Sequence, residues 1–152
     1  MKSTHSTLKL QNSIIIDTGF WVAIGSKKDR FHNFAIKVAQ SLQFDPITTW
    51  PVISETSYLL QTKQGAHACD AFLLGIDQSC MEIFRMESGH LGRIRQLMKK
   101  YAELPMHLAD ASLVILAEEL GHGRILSTDQ RDFRTYRWKN HQPFENLLLP
   151  DS

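Results

Sequence analysis

Short β-rich runs alternate with amphipathic helical segments along this chain, and the alternation predicts an α/β domain with a parallel sheet covered by helices on both faces. Three observations carry that expectation. Ser13-Ile14-Ile15-Ile16, Pro46-Ile47-Thr48-Thr49 and Arg124-Ile125-Leu126-Ser127 are β-rich and short. The segments between them space their apolar residues three and four apart, as a helix does. The length, 152 residues, suits one domain around one core.

Ser13 to Ile16 is the expected first strand, and a short helix follows from Thr18 to near Gly25. Asp29 is placed as the cap of a second helix, whose apolar stripe runs through Phe31, Phe34, Ala35, Val38 and Leu42. Pro46 to Thr49 is the second strand. Pro51 suits the first turn of a helix reaching about Gln61, and Gly65 then punctuates. Ala66 to Leu74 reads as a helix and Cys80 to Phe84 as a strand. Leu91, Ile94, Leu97, Met98 and Tyr101 mark one face of a helix whose other face carries Arg93, Arg95, Lys99 and Lys100. Pro105 resets the chain. His107 to Leu120 is apolar nearly all round, so it is expected to be central and buried. Gly121 and Gly123 end it, Arg124 to Ser127 is a strand, Asp129 to Phe133 a turn or short helix, and Asn146 to Leu149 the last strand.

The bulk numbers exclude several classes. A net charge of +1 gives no overall field, so any nucleic-acid contact must come from local basic patches. The longest apolar runs are far too short to cross a bilayer. Residues 1–12 are polar and lack the apolar core of a secretory signal; they are expected to form a loose extension ahead of a domain at 13–150. Cys69 and Cys80 have neither the spacing of a zinc site nor a disulfide framework, which fits a reducing cytoplasm.

Acidic residues at element ends are the main chemical signal. Asp17 ends the first strand, Glu55 lies early in the Pro51 helix, Asp110 opens the apolar helix, and Asp129 follows the late strand. In open α/β sheets, sites form at the carboxyl ends of the strands. A carboxylate beside a buried element is costly unless paired, and carboxylates gathered together repel one another. Divalent cations with oxygen ligands relieve both costs, so the set predicts a Mg²⁺ or Mn²⁺ site and phosphodiester chemistry. His or Cys ligands would instead favour zinc. A single Asp after a strand is commonly a helix cap; four such acids, each adjoining an apolar element, are harder to explain as caps.

Four stretches resemble, in order and spacing, the motifs of the PIN domain family. They are Ile14-Ile15-Ile16-Asp17-Thr18-Gly19-Phe20-Trp21, Val52-Ile53-Ser54-Glu55, Leu108-Ala109-Asp110-Ala111-Ser112-Leu113-Val114, and Ile125-Leu126-Ser127-Thr128-Asp129-Gln130-Arg131-Asp132-Phe133. The resemblance covers about Ser13 to Leu149, and by length it is to the VapC-type toxins of bacterial toxin–antitoxin pairs. It implies a Rossmann-like parallel sheet and a metal-dependent ribonuclease. It also implies that Asp17, Glu55, Asp110 and Asp129 are the acidic quartet, with Thr18 and Thr128 orienting carboxylates or water beside it. Many relatives carry Asp where this chain has His107, so a second metal position is in question here; His107 is an outer ligand or a helix-start residue. Asp132 supplements Asp129 or caps the short turn that follows it. An RNA substrate, a cognate antitoxin and a homodimer are the implied partners, with no membrane.

Lys27, Lys28, Arg30, Arg131 and Arg134 are candidates for gripping phosphates beside the acids. Trp21 and Trp50 could stack on bases, although Trp21 adjoins an apolar helix and suits the core. Phe31, Phe34, Tyr58, Leu59 and Leu60 are expected to supply apolar surface for a dimer contact. An antitoxin would lay an amphipathic segment between the helix near Asp29 and the helix near Pro51, with a basic residue among the acids. Two other functions fit the same acids less fully. One is a weakly active PIN module that binds RNA or a protein. The other is a phosphoacceptor switch, which needs a Lys after a late strand where this chain has Thr128-Asp129.

Overall fold

The computed structural model describes residues 10–149. Five parallel strands form the central sheet in the order β3-β2-β1-β4-β7, where β1 is Ser13–Ile16, β2 Asp45–Thr49, β3 Glu82–Phe84, β4 Arg124–Leu126 and β7 Glu145–Asn146. Ile15 of β1 pairs in register with Ile47 on one side and Ile125 on the other. The helices are α1 Thr18–Gly25, α2 His32–Gln40, α3 Trp50–Gln64, α4 Ala66–Ser79, α5 Leu91–Lys100, α6 Leu108–Leu120 and α7 Gln130–Thr135. A two-stranded antiparallel hairpin, β5 Arg137–Trp138 and β6 Gln142–Pro143, stands apart from the main sheet.

Side chains alternate across a strand, and β1 divides the core accordingly. Ile15 joins Ile47, Ile125 and α6 on one face, where Leu113, Val114 and Leu116 are fully buried. Ile14 and Ile16 join Phe20, Ala23, Ala35 and Leu126 on the other. Helix α6 is buried from Ala111 to Ala117, as its all-round apolarity requires. Thr49 caps α3 by accepting from Val52 N (3.3 Å) and shares a 2.7 Å hydrogen bond with Ser112, which ties β2, α3 and α6 together behind the strand ends.

Several expected boundaries shift. Asp29 lies two residues before the cap position, Phe31: its Oδ1 accepts from Phe31 N (2.9 Å), in the turn before α2. Helix α4 runs on to Ser79, past Leu74 and through Gly75, a residue that a helix interior tolerates at a cost of about 1 kcal/mol. Cys80 is its C-cap in the left-handed region (φ 55°), so β3 begins only at Glu82. The last strand is Glu145–Asn146, and residues 147–149 bend away. The β5–β6 hairpin was not anticipated; its turn puts Lys139 and Asn140 at positive φ, without a glycine to signal it. Of the extension expected at residues 1–12, residues 1–9 lie outside the described residues. Leu10 packs on the core, and the carbonyl of Asn12 accepts from Asp45 N (2.9 Å). No described helix is long and apolar enough to cross a membrane.

Candidate active site

Two neighbouring strands aim their carboxyl ends at one place. β1 leads into Asp17, whose backbone N–H bonds the carbonyl of Leu126 on β4 (3.1 Å). The Asp17 side chain is almost fully buried: Oδ1 accepts from Thr18 N (2.7 Å) and Oδ2 accepts from the hydroxyl of Ser127 (2.7 Å). Ser127 follows β4 and also accepts from Asp129 N (2.9 Å), so one hydroxyl joins two of the expected acids. The Thr18 hydroxyl donates to Glu55 Oε2 (2.8 Å), linking α1 to α3. Asp110 Oδ2 accepts from His107 N (3.0 Å) across the first turn of α6. Asp129 caps α7 by accepting from Asp132 N (3.2 Å).

The electrostatics show that these groups share one field. Burial pushes the Asp17 carboxyl up to about 7; the Ser127 bond opposes this, Asp110 and Glu55 add to it by repulsion, and the bond from Thr18 N offsets part of it. Asp110 is also raised, by burial first, with the bond from His107 N working against burial and Glu55 and Asp129 adding repulsion. Asp132 is raised to about 6 by burial, by its hydrogen bond to Asp129 and by the charges of Asp129 and Asp110. The cluster therefore extends beyond the expected four to Asp132. The Tyr136 hydroxyl is buried with no hydrogen-bond partner among the described residues. Its ionisation is suppressed by burial and then by Asp110, Asp132, Asp129 and Asp17, which places it inside the same field.

Two features escaped the sequence reading. Ser127, not Thr128, donates to Asp17; a small hydroxyl one residue past a buried strand was the available signal. Thr128 instead stands over Gly19, where an added Cβ would meet its Oγ1 at 2.0 Å. Asn146 holds Ser127 from the far side: its Oδ1 accepts from Ser127 N (3.2 Å) and its Nδ2 donates to the Ser127 carbonyl (2.9 Å). Nothing in the sequence marked that contact, because it joins residues 19 apart through an edge strand.

The other candidates divide. Arg131 lies close enough to Asp132 to lower its carboxyl, and it is exposed, as is Arg134. Lys27 and Lys28 line an apolar groove with Trp21, Ile24, Phe72 and Ile76, between α1 and α4 and not between α2 and α3. Arg30 is exposed over the ring of Phe31 (4.6 Å). Trp21 packs edge-on against Phe20 and Phe72, as a core residue does. Leu60 is fully buried and meets Gly25, so it offers no dimer surface; Phe34 and Tyr58 are exposed. His107 is exposed at the start of α6, where its backbone N–H engages Asp110.

Among the described residues, no group of three or more His, Cys, Asp or Glu side chains stands ready to hold a metal ion. The donor set nevertheless fits magnesium or manganese in kind. Its centre is carboxylate oxygen backed by hydroxyls, Asp17 and Asp110 are raised by burial and repulsion, and a hard cation that keeps several waters needs few direct protein ligands.

A parallel sheet in this strand order, with acids at its carboxyl edge, defines an open α/β domain whose candidate site lies at the strand ends, and the PIN domain family profile matches residues 14–139. The chain belongs to the PIN domain family. It is similar to ribonuclease VapC26 of Mycobacterium tuberculosis (strain ATCC 25618 / H37Rv), 26% identical over 125 residues, covering 82% of this chain and 92% of that protein. Its fold is similar to the crystal structure of Mycobacterium tuberculosis VapC20, described as a Sarcin-Ricin loop cleaving toxin, with a TM-score of 0.71 and 22% identity over 78% of this chain and 92% of that one. Its likenesses in sequence and in fold are thus to VapC proteins.

Proposed function

We propose that this chain is a Mg²⁺- or Mn²⁺-dependent endoribonuclease and the toxin of a toxin–antitoxin pair. The observation that supports this most is the buried Asp17 carboxylate, bonded to Ser127 and Thr18 and sharing one field with Glu55, Asp110 and Asp129 at the strand ends. Asp17, Asp110 and Asp129 would hold the cation, and Glu55 would reach in from α3, fixed by the Thr18 hydroxyl. When bound, the metal supplies a nucleophilic water at neutral pH and offsets charge on the phosphate. Ser127 keeps Asp17 oriented and lowers its pKa toward the ionised form that a cation requires. Arg131, near enough to Asp132 to act on its carboxyl, would meet RNA phosphates there.

Purified protein should cleave RNA with Mg²⁺ or Mn²⁺ and not in chelator. Asp17→Asn and Asp110→Asn should abolish cleavage while circular dichroism shows the fold intact. Full activity of either variant at equal metal sinks that residue's assignment. Expression of the wild-type chain should arrest bacterial growth, the Asp17→Asn form should not, and a coexpressed antitoxin should restore growth. The proposal carries a cytoplasmic location, where RNA and antitoxin are met. A homodimer through the exposed Phe34 face belongs to the same reading, and light scattering that shows only monomer at micromolar concentration counts against it.

One observation favours a second reading, a weakly active module that binds RNA or a protein. Asp110 Oδ2 is already engaged by His107 N, and His107 stands where many relatives carry another acid. Metal-dependent cleavage that disappears in the Asp110→Asn variant separates the two readings.

A further inference from the structure

A second feature adjoins the acids and is unused by the fold. Trp50, Ser54, Glu55, Tyr58, His107 and Leu108 line one open groove at the start of α3 and α6. Trp50 is 57% exposed, Tyr58 69% and Leu108 49%. Single exposed apolar residues are ordinary. Three in one groove that also contains a carboxylate of the site form a contiguous surface, and such surfaces mark binding.

The lining points to one kind of occupant. Among the described residues its lining contains no Lys or Arg, so it is not built to grip phosphate. Its polar groups besides Glu55 include the Ser54 hydroxyl and the His107 imidazole, which suit the edges of a base, while Trp50 and Tyr58 offer flat faces. An amphipathic protein segment is better served by the groove between α1 and α4, which is apolar and flanked by Lys27 and Lys28. Trp50 and Tyr58 lie eight residues apart on one helix, roughly 12 Å along its axis at about 1.5 Å per residue. That is too far to clamp a single base between them, and Glu55 falls between the two along the axis.

We infer that Trp50 and Tyr58 each stack one unpaired base of the RNA, on the two sides of the phosphate held near Glu55. The inference rests on the ribonuclease reading and adds to it two base-holding residues of this chain. Stacking requires the nucleotides at these two positions to be unpaired. Stacking reads faces and not edges, so the two positions tolerate several bases.

The test uses the full chain and a single-stranded RNA whose cleavage position has been mapped with the wild-type protein. W50A and Y58A should each lose roughly fivefold to a hundredfold in kcat/KM, chiefly through KM, from the usual worth of one base–aromatic stack. W50F should recover part of the loss. An abasic nucleotide at the matching flank should cost the wild type a similar factor and cost W50A nothing more. Anisotropy with the uncleaving Asp17→Asn form should show the same loss of affinity when W50A is added, which reads the subsite without turnover. Unchanged binding in both aromatic variants, additive losses with abasic sites at both flanks, or equal cutting of duplex and single strand overturns the inference. So does an effect of W50A confined to binding of a protein partner or a second copy. RNA bound but never cleaved by the wild type sinks the nuclease reading alone; no RNA binding by the Asp17→Asn form sinks both.

Discussion

Replacing Asp17 with Asn should make the metal-free protein more stable at alkaline pH, although it removes a central residue of the site. Asp17 is almost fully buried, and its pKa stands at about 7 against an ordinary 3.8. The folded state thus keeps a proton that the unfolded chain releases, so stability falls as pH rises from 3.8 to about 7 and stays low above it. At about 1.36 kcal/mol per pH unit, that window is worth about 4 kcal/mol. Asn carries no charge and avoids the cost. It gives up the charge on the bonds from Ser127 and Thr18 N, which returns about 1–2 kcal/mol. The net gain is about 2–3 kcal/mol at pH 8, or roughly 5–10 °C in Tm for a chain of this size. The comparison is made between the two forms at each pH, because His122, lowered to about 4, pulls the other way in acid and cancels in the difference. Thermal unfolding in chelator at pH 4.5, 6 and 8 should show the gap opening with pH, and saturating Mn²⁺ should narrow it by stabilising the wild type. A gap that does not grow with pH, or a wild type more stable than the variant at pH 8 in chelator, refutes the placement of Asp17 as a buried, mutually repelled carboxylate.

Three further outcomes follow from the same geometry. Ser127→Ala removes the donor to Asp17 and the acceptor for Asp129 N; cleavage at pH 7 should fall at least about tenfold, given about 1.5–3 kcal/mol for a charge-linked bond, and the rate–pH profile should move alkaline. Gly19→Ala drives a methyl into Thr128 Oγ1 and should cost about 1–3 kcal/mol in urea unfolding, with Thr128→Ala in the double variant restoring much of it. Glu118→Ala leaves Arg93 Nε and Nη2 and Lys139 N without their shared acceptor; a loss of about 1–3 kcal/mol should appear as a lower urea midpoint, and no change would show that this link between α5, α6 and the hairpin is dispensable.

The acids were legible because chemistry forces them to element ends, where a short carboxylate beside Ile16 or Leu108 has no apolar explanation. Helix α6 was legible because its eight buried positions are apolar at all but Ser112, whose hydroxyl is bonded to Thr49. Cys80 misled because a left-handed cap residue without glycine looks like the start of a strand. The hairpin turn at Lys139 and Asn140 failed for the same reason. Ser127 was passed over for Thr128 because a resemblance aligns positions, whereas the pleat of β4 decides which neighbouring hydroxyl faces Asp17. Trp50 was noticed as an aromatic, but its exposure in one groove with Glu55 depends on how α3 meets α6 and leaves no trace in local sequence.

The clasp of Asn146 on Ser127 bears on where this protein functionally ends. The family profile stops at residue 139, yet the strand that closes the sheet edge beside β4, and the amide that grips the Ser127 backbone, come after it. A chain shortened at that boundary would keep every acid of the quartet and lose the brace behind two of them. The segment after the hairpin is therefore part of what orients Ser127 and, through it, Asp17 and Asp129, and a nick there would loosen the candidate site without touching an acidic residue.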